Sequence, residues 1–257
     1  MLRNLFYNCC PIKASETIWH DNINRLCRYP EAFNHRKVII IKTGENLEDP
    51  EIVKPLFSAL GNVEFKLAPN NSELCELAGF IDGLRSLETH RKNEITFYAH
   101  TKGSGKADKS KIELLSIRQW RNRMYHECLS DPQRIDSIMQ DHATCGCFLD
   151  FSQNNFHRWH FPGTFWWVNH VALFSRNWQE TRDTRFAVEL YPGDKFERKE
   201  ALSLRSKPPP HTFYRKFYGT YLCKRCGEFT AISDYRVKCP RCKKLTSLMI
   251  EIPEMGF

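Results

Sequence analysis

Lys37-Val38-Ile39-Ile40-Ile41-Lys42 is the stretch that decides the fold. Four consecutive β-branched residues between two lysines are too short for a buried helix and predict a strand covered on both faces. Downstream, Asp49-Pro50 supplies an N-cap and a proline at the first helical position. Ile52, Leu56 and Leu60 then predict one helix, closed by Gly61. Val63 to Leu67 predicts the next strand. Asn71 or Ser72 caps a helix carrying Leu74, Leu77, Phe80, Ile81 and Leu84, and Ile95 to His100 predicts a third strand. Upstream, Ser15 to Tyr29 predicts a helix with Ile18, Trp19, Ile23, Leu26 and Cys27 as its apolar stripe. Strands alternating with helices in this way predict an α/β fold with a mostly parallel, right-handed sheet and flanking helices.

Further along, Ile117, Trp120, Met124 and Cys128 recur at helical spacing, and Asp131-Pro132 starts another helix through about His142. Cys145 to Phe151 and Trp159 to Asn169 read as strands joined by a turn at Asn154-Asn155. Lys207-Pro208-Pro209-Pro210 excludes helix and central strand, so it reads as a spacer between domain 1–206 and a small module at 207–257.

The 257 residues are 41% hydrophobic, too rich for a disordered chain. Apolar runs are short, so no transmembrane helix is expected, and the start lacks the pattern of a signal peptide. With eleven cysteines and no export signal, a cytoplasmic setting with free thiols is the expectation. Charge is uneven. Between Arg205 and Leu245 eleven bases face two acids, so this +9 tail accounts for the whole net charge of +8.

Within that tail, Cys223-Lys-Arg-Cys226 and Cys239-Pro-Arg-Cys242 are two CxxC knuckles twelve residues apart. A two-residue gap lets both thiolates of a knuckle reach one tetrahedral Zn²⁺. Gly227 follows the first knuckle. Phe229 to Ile232 and Tyr235 to Lys238 suit a hairpin between the two. The pattern predicts a zinc ribbon with a structural Zn²⁺ on Cys223, Cys226, Cys239 and Cys242. So small a module needs the metal's binding energy to fold. Its basic residues make it either a solvated cap or a contact for nucleic-acid phosphates.

Three motifs occur in order in the body: Phe97-Tyr98-Ala99-His100-Thr101-Lys102-Gly103, Trp120-Arg121, and Pro162-Gly163-Thr164-Phe165-Trp166-Trp167. They resemble a glycosyltransferase-like family with an HTKG…WR…GTFWW pattern, distantly similar to rhamnan-synthesis-type transferases. The likeness extends to Tyr7-Asn8-Cys9-Cys10-Pro11 and the Trp19…Asn22 pair, covers about residues 5 to 200, and excludes the zinc ribbon. It implies a GT-A-like (Rossmann-like) domain that binds a nucleotide-sugar donor. It also implies an acid near the end of the domain, where Glu189 stands.

The residues themselves are compatible with that chemistry. In open α/β sheets ligands bind beyond the carboxyl ends of the strands, and His100-Thr101-Lys102-Gly103 leaves a strand there. Lys102 could neutralise a diphosphate, Thr101 and His100 could donate to it, and Gly103 allows close backbone approach. Residues 102–123 hold seven bases against two acids, Arg121 among them. In a strand Trp166 and Trp167 face opposite ways, so Trp166 is a candidate for stacking on a sugar or base. Glu189 and Asp150 are the candidate bases for an acceptor hydroxyl. Cys9-Cys10 reads as packing or a free thiol pair. One feature departs from the family: no Asp-x-Asp for a divalent cation occurs in the chain. The expected function is sugar transfer to a soluble acceptor such as a nucleic-acid base. The alternative is a non-catalytic nucleic-acid-binding or adaptor protein on the same fold.

Overall fold

The computed structural model describes residues 1–106, 108, 111–151, 159–205, 219–223, 229–232 and 249–251. The chain opens with β1 (Leu2–Cys9), followed by α1 (Glu16–Leu26) and β2 (Lys37–Thr43). Next come α2 (Pro50–Val53), β3 (Glu64–Pro69), α3 (Phe80–Leu87) and β4 (Glu94–His100). Two helices follow, α4 (Lys111–Leu129) and α5 (Pro132–Asp141), then β5 (Thr144–Cys147) and a small hairpin of β6 (Asp150–Phe151) and β7 (Trp159–His160). The body ends with β8 (Trp166–Asn169), α6 (His170–Phe174), α7 (Ala187–Lys195) and β9 (Ala201–Arg205).

Seven of these strands form one sheet in the order β3-β2-β1-β4-β8-β5-β9. The first four are parallel; β8 runs antiparallel to β4 and β5, and β9 is parallel to β5. The expected α/β class with a mostly parallel sheet is what is found. Period-two alternation divides the core into two layers. Leu5, Tyr7, Ile39, Ile41, Phe97 and Trp167 pack under α1 and α4, while Phe6, Val38, Ile40, Tyr98 and Trp166 pack under α3 and α7.

Local departures from the expected elements have physical causes. The helix expected from Asp49 to Leu60 is a single turn followed by a 3-10 segment, Lys54–Leu60. Pro55 lacks the amide that would continue it, and Ile52 faces solvent. The helix expected from Asn71 breaks at Gly79 (φ 81°), leaving a 3-10 turn at Cys75–Leu77 ahead of α3. The strand expected from Trp159 to Asn169 is split into β7 and β8 by left-handed Gly163 and Thr164 (φ 93° and 64°).

In the C-terminal module β10 (Gly219–Cys223) pairs antiparallel with β11 (Phe229–Ile232) and β12 (Met249–Glu251). β10 ends on Cys223, the first cysteine of the first CxxC pair. Cys226, Cys239 and Cys242, expected as zinc ligands, the expected strand Tyr235 to Lys238, the expected spacer Lys207 to Pro210 and the expected turn at Asn154-Asn155 lie outside the described residues.

Candidate functional site at the carboxyl edge of the sheet

β1 lies between β2 and β4, and the connections leave it in opposite directions. That makes the carboxyl ends of β1 and β4 a topological switch point, where a crevice opens in sheets of this type. The two ends are closed together by Thr101. Its hydroxyl accepts from the Cys10 amide at 2.9 Å, and its own amide donates to the Asn8 carbonyl at 3.1 Å. Thr101 is buried and these contacts occupy it. The expected diphosphate donor is therefore a clasp between strands.

His100 stands at the centre of the edge. Its Nε2 donates to the Gly163 carbonyl at 3.2 Å, and its Nδ1 lies 2.5 Å from the Glu76 carboxylate. On the other side of the same residue, the Gly163 amide donates to Glu189 Oε1 at 2.7 Å. Both partners of His100 adjoin strained backbone: Cys75 (φ 49°) precedes Glu76, and Thr164 follows Gly163. Left-handed non-glycine residues persist only where the surroundings over-determine them, and they concentrate at functional sites.

Glu76 and Lys42 complete the cluster. Burial alone would raise the Glu76 carboxyl, but His100, then Lys102 and Lys42, outweigh it and hold the group below the ordinary range. Burial pulls the Lys42 ammonium down to about 8, although Cys10, Glu76 and Cys75 favour its charge. Lys42 is fully buried and donates to the Ala78 carbonyl. Burial pushes the Cys10 thiol up to about 11, which rules it out as a ready nucleophile.

The loop after His100 is fixed from the other side. Asn22 Nδ2 and Arg121 Nη1 both donate to the Lys102 carbonyl, at 3.1 and 3.2 Å. Arg121 also pairs with Asp21, which accepts from Arg25 at 3.0 Å. Lys102 Nζ lies 4.3 Å over the Trp120 ring. A cleft of about 510 Å³ opens beside this loop, lined by Thr17, Ile18, Asp21, Gly103, Arg118 and Arg121. A second concavity of about 610 Å³ runs along edge strand β3, by Leu67, Gly79 and Arg85, and none of these groups lines it.

Several candidates take other roles in the structure. Trp166 is fully buried between the rings of Tyr98 and Tyr191, so the proposed stacking platform is a core residue with no face for a ligand. Trp167 is equally buried. Arg121 is anchored to Asp21 and Lys102, so it shapes the loop. Glu189 holds the Gly163 amide. Asp150 stands directly opposite His160 in the β6–β7 pair. Glu76, Lys42 and Asp21 were not candidates from sequence. Lys42, at the carboxyl end of a buried strand, was the one with a readable signal.

The edge suits anions better than a divalent cation. Its carboxylate, Glu76, already faces His100, with two lysines close enough to stabilise its charge. Among the described residues no cluster of three His, Cys, Asp or Glu side chains is arranged to hold a metal. No family model matches the chain, and no curated protein or solved structure matches it.

Proposed function

We propose that the chain is a nucleotide-sugar-dependent glycosyltransferase of GT-A-like fold, with its donor at the β1–β4 switch point. The observation that supports this reading is the convergence of the resembling motifs on one place. His100 of the first motif bonds Gly163 of the third. Trp120 and Met124 pack so closely on Gly163 that a Cβ there would lie 2.7 Å from Met124 Sδ. Asn8 and Asn22, from the two N-terminal pieces, bond the Glu76 and Lys102 carbonyls. Residues that merely filled a core would have no reason to meet at the ligand-binding edge of the sheet.

In this reading Lys102 stabilises the leaving diphosphate, in place of the cation that an Asp-x-Asp would hold. Glu189 positions Gly163 and through it His100. Asp150 is the carboxylate that accepts the acceptor's hydroxyl proton. The module would hold structural Zn²⁺ on Cys223, Cys226, Cys239 and Cys242, and its basic tail would bring a nucleic-acid acceptor to the body. The test is a thermal-shift screen against UDP-, GDP-, CMP- and dTDP-sugars. One of them at a hundredfold its Kd should stabilise the fold by about 2.7 kcal/mol. Lys102→Ala should abolish transfer with the fold intact. No stabilisation by any sugar nucleotide would leave the non-catalytic nucleic-acid-binding alternative, to which the missing Asp-x-Asp already points.

A further inference from the structure

Residues 70–79, between β3 and α3, are tied across the switch point by three side chains from three adjacent strands. Asn8, in β1, donates Nδ2 to the Glu76 carbonyl at 3.0 Å. Lys42, in β2, donates Nζ to the Ala78 carbonyl. His100, in β4, meets the Glu76 carboxylate at 2.5 Å. The segment contains left-handed Cys75 and ends on left-handed Gly79 (φ 49° and 81°). Its Glu76 carboxylate therefore sits where the sheet topology puts a ligand, against the His100 ring, with Lys42 and Lys102 favouring its charged form.

A carboxylate and a phosphate present the same kind of oxygen acceptor to ammonium and imidazole donors, and the phosphate carries more charge. We propose that the Lys42–His100–Lys102 group is an anion site whose resting occupant is Glu76. A phosphate or pyrophosphate group takes over these side chains when segment 70–79 lifts off Asn8, Lys42 and His100. The segment is thus an internal competitor for the ligand. The proposal rests on the carboxyl edge being the ligand site, and not on glycosyl transfer.

Calorimetric titration of the full chain with inorganic pyrophosphate tests it. Glu76→Gln removes the competing charge and keeps an acceptor for His100. It should tighten pyrophosphate binding about tenfold if the closed form predominates roughly ten to one, because the apparent affinity is divided by the open fraction. Lys42→Met should weaken binding. A Glu76→Gln protein that binds pyrophosphate no better than the native chain overturns the proposal, as does unchanged binding by Lys42→Met. Hydrogen exchange needs no variant: peptides covering 70–79 should exchange faster in the native protein saturated with pyrophosphate, and unchanged exchange also overturns it.

Uridine diphosphate, titrated in parallel, separates the sources of the anion. Tighter binding than pyrophosphate assigns the seat to a nucleotide's diphosphate, and the reverse order to free inorganic pyrophosphate. A chain that binds pyrophosphate with the Glu76 effect but answers no sugar nucleotide keeps this inference and loses the transfer reading. Stabilisation by a sugar nucleotide with no Glu76 effect does the opposite.

Discussion

β1 and β4 carry a polar cluster at each end, and the two clusters are built to opposite rules. At the amino ends Asn4, Glu94, Thr96 and His170 are all sealed from solvent. Glu94 accepts from Asn4 at 2.8 Å, Arg36 at 2.6 Å and Thr89 at 2.8 Å, and His170 lies against the Thr96 and Thr89 hydroxyls at 2.6 and 3.1 Å. At the carboxyl ends Glu76 and His100 keep 21% and 12% of their side-chain surface. Their neighbours are loops and left-handed residues. The first cluster is satisfied from within its own strands and neighbouring segments, so it locks register. The second is partly exposed, adjoins left-handed backbone at Cys75 and Thr164, and is flanked by Lys42 and Lys102, features that concentrate where a fold carries a function.

The sharpest way to break the comparison is to remove the central carboxylate of the sealed cluster. Glu94→Ala leaves Asn4, Thr89 and His170 without their partner in a dry interior and should cost about 3–5 kcal/mol in urea denaturation. A loss below about 1 kcal/mol would make the amino-end cluster no more structural than an exposed ion pair.

Acid should attack the same end next. Burial holds the His170 ring down to about 4, against the pull of Glu94. Its unfolded value is about 6.5, so the unfolded chain binds the extra proton first as pH falls. The ring's contribution is therefore fully present above about pH 6.5 and is lost progressively down to about 4, by at most about 3 kcal/mol. Glu94, held at about 2 by Arg36, Asn4 and Thr89 against the cost of burial, adds a second loss below its unfolded value of about 4.3. Thermal midpoints between pH 7 and 4 should fall for the native chain and fall less for His170→Asn.

Which parts of this architecture were legible follows from how each residue is satisfied. β2 and β4 are readable because their apolar runs need no polar partner. β1 is not, because Asn4 and Asn8 interrupt its pattern; each is polar in order to reach across to Glu94 or to the Glu76 carbonyl. His100 and Lys102 stand out because they follow a strand directly. Glu76 is hidden in a stretch whose leucine and phenylalanine spacing reads as one helix until Gly79 breaks it. Trp166 misleads for the opposite reason. Alternation correctly puts it on the face opposite Trp167, but helices cover both faces, so neither ring reaches a ligand.

Between the two clusters in expected effect is Gly163, the joint of the open site. Its φ of 93° and the 2.7 Å approach to Met124 Sδ leave no room for a side chain. Gly163→Ala should destabilise the fold by about 2 kcal/mol through strain and overpacking. If the chain binds a sugar nucleotide as proposed, the variant should also weaken that binding beyond what the stability loss explains, because it moves the carbonyl that holds His100. Binding that tracks stability alone would reduce Gly163 to a packing residue.

The smallest expected change is the one that defines the open cluster. Glu76→Gln should cost no more than about 1.4 kcal/mol, the worth of the tenfold closed-state preference it removes, since its pair with His100 is partly exposed and the amide oxygen still accepts from the ring. Two effects oppose each other in that figure. Loss of the carboxylate removes attraction to His100, Lys102 and Lys42, and it also spares the burial cost that the ionised group bears. At the sealed end the burial cost is also spared, but the bonds from Arg36, Asn4 and Thr89 outweigh it and Glu94→Ala puts no acceptor in their place. The two carboxylates therefore separate on a single urea experiment once the substitutions are matched: Glu94→Gln should cost clearly more than Glu76→Gln. Equal losses would mean that segment 70–79 is a structural clamp, and that the switch point is shut rather than waiting for an anion.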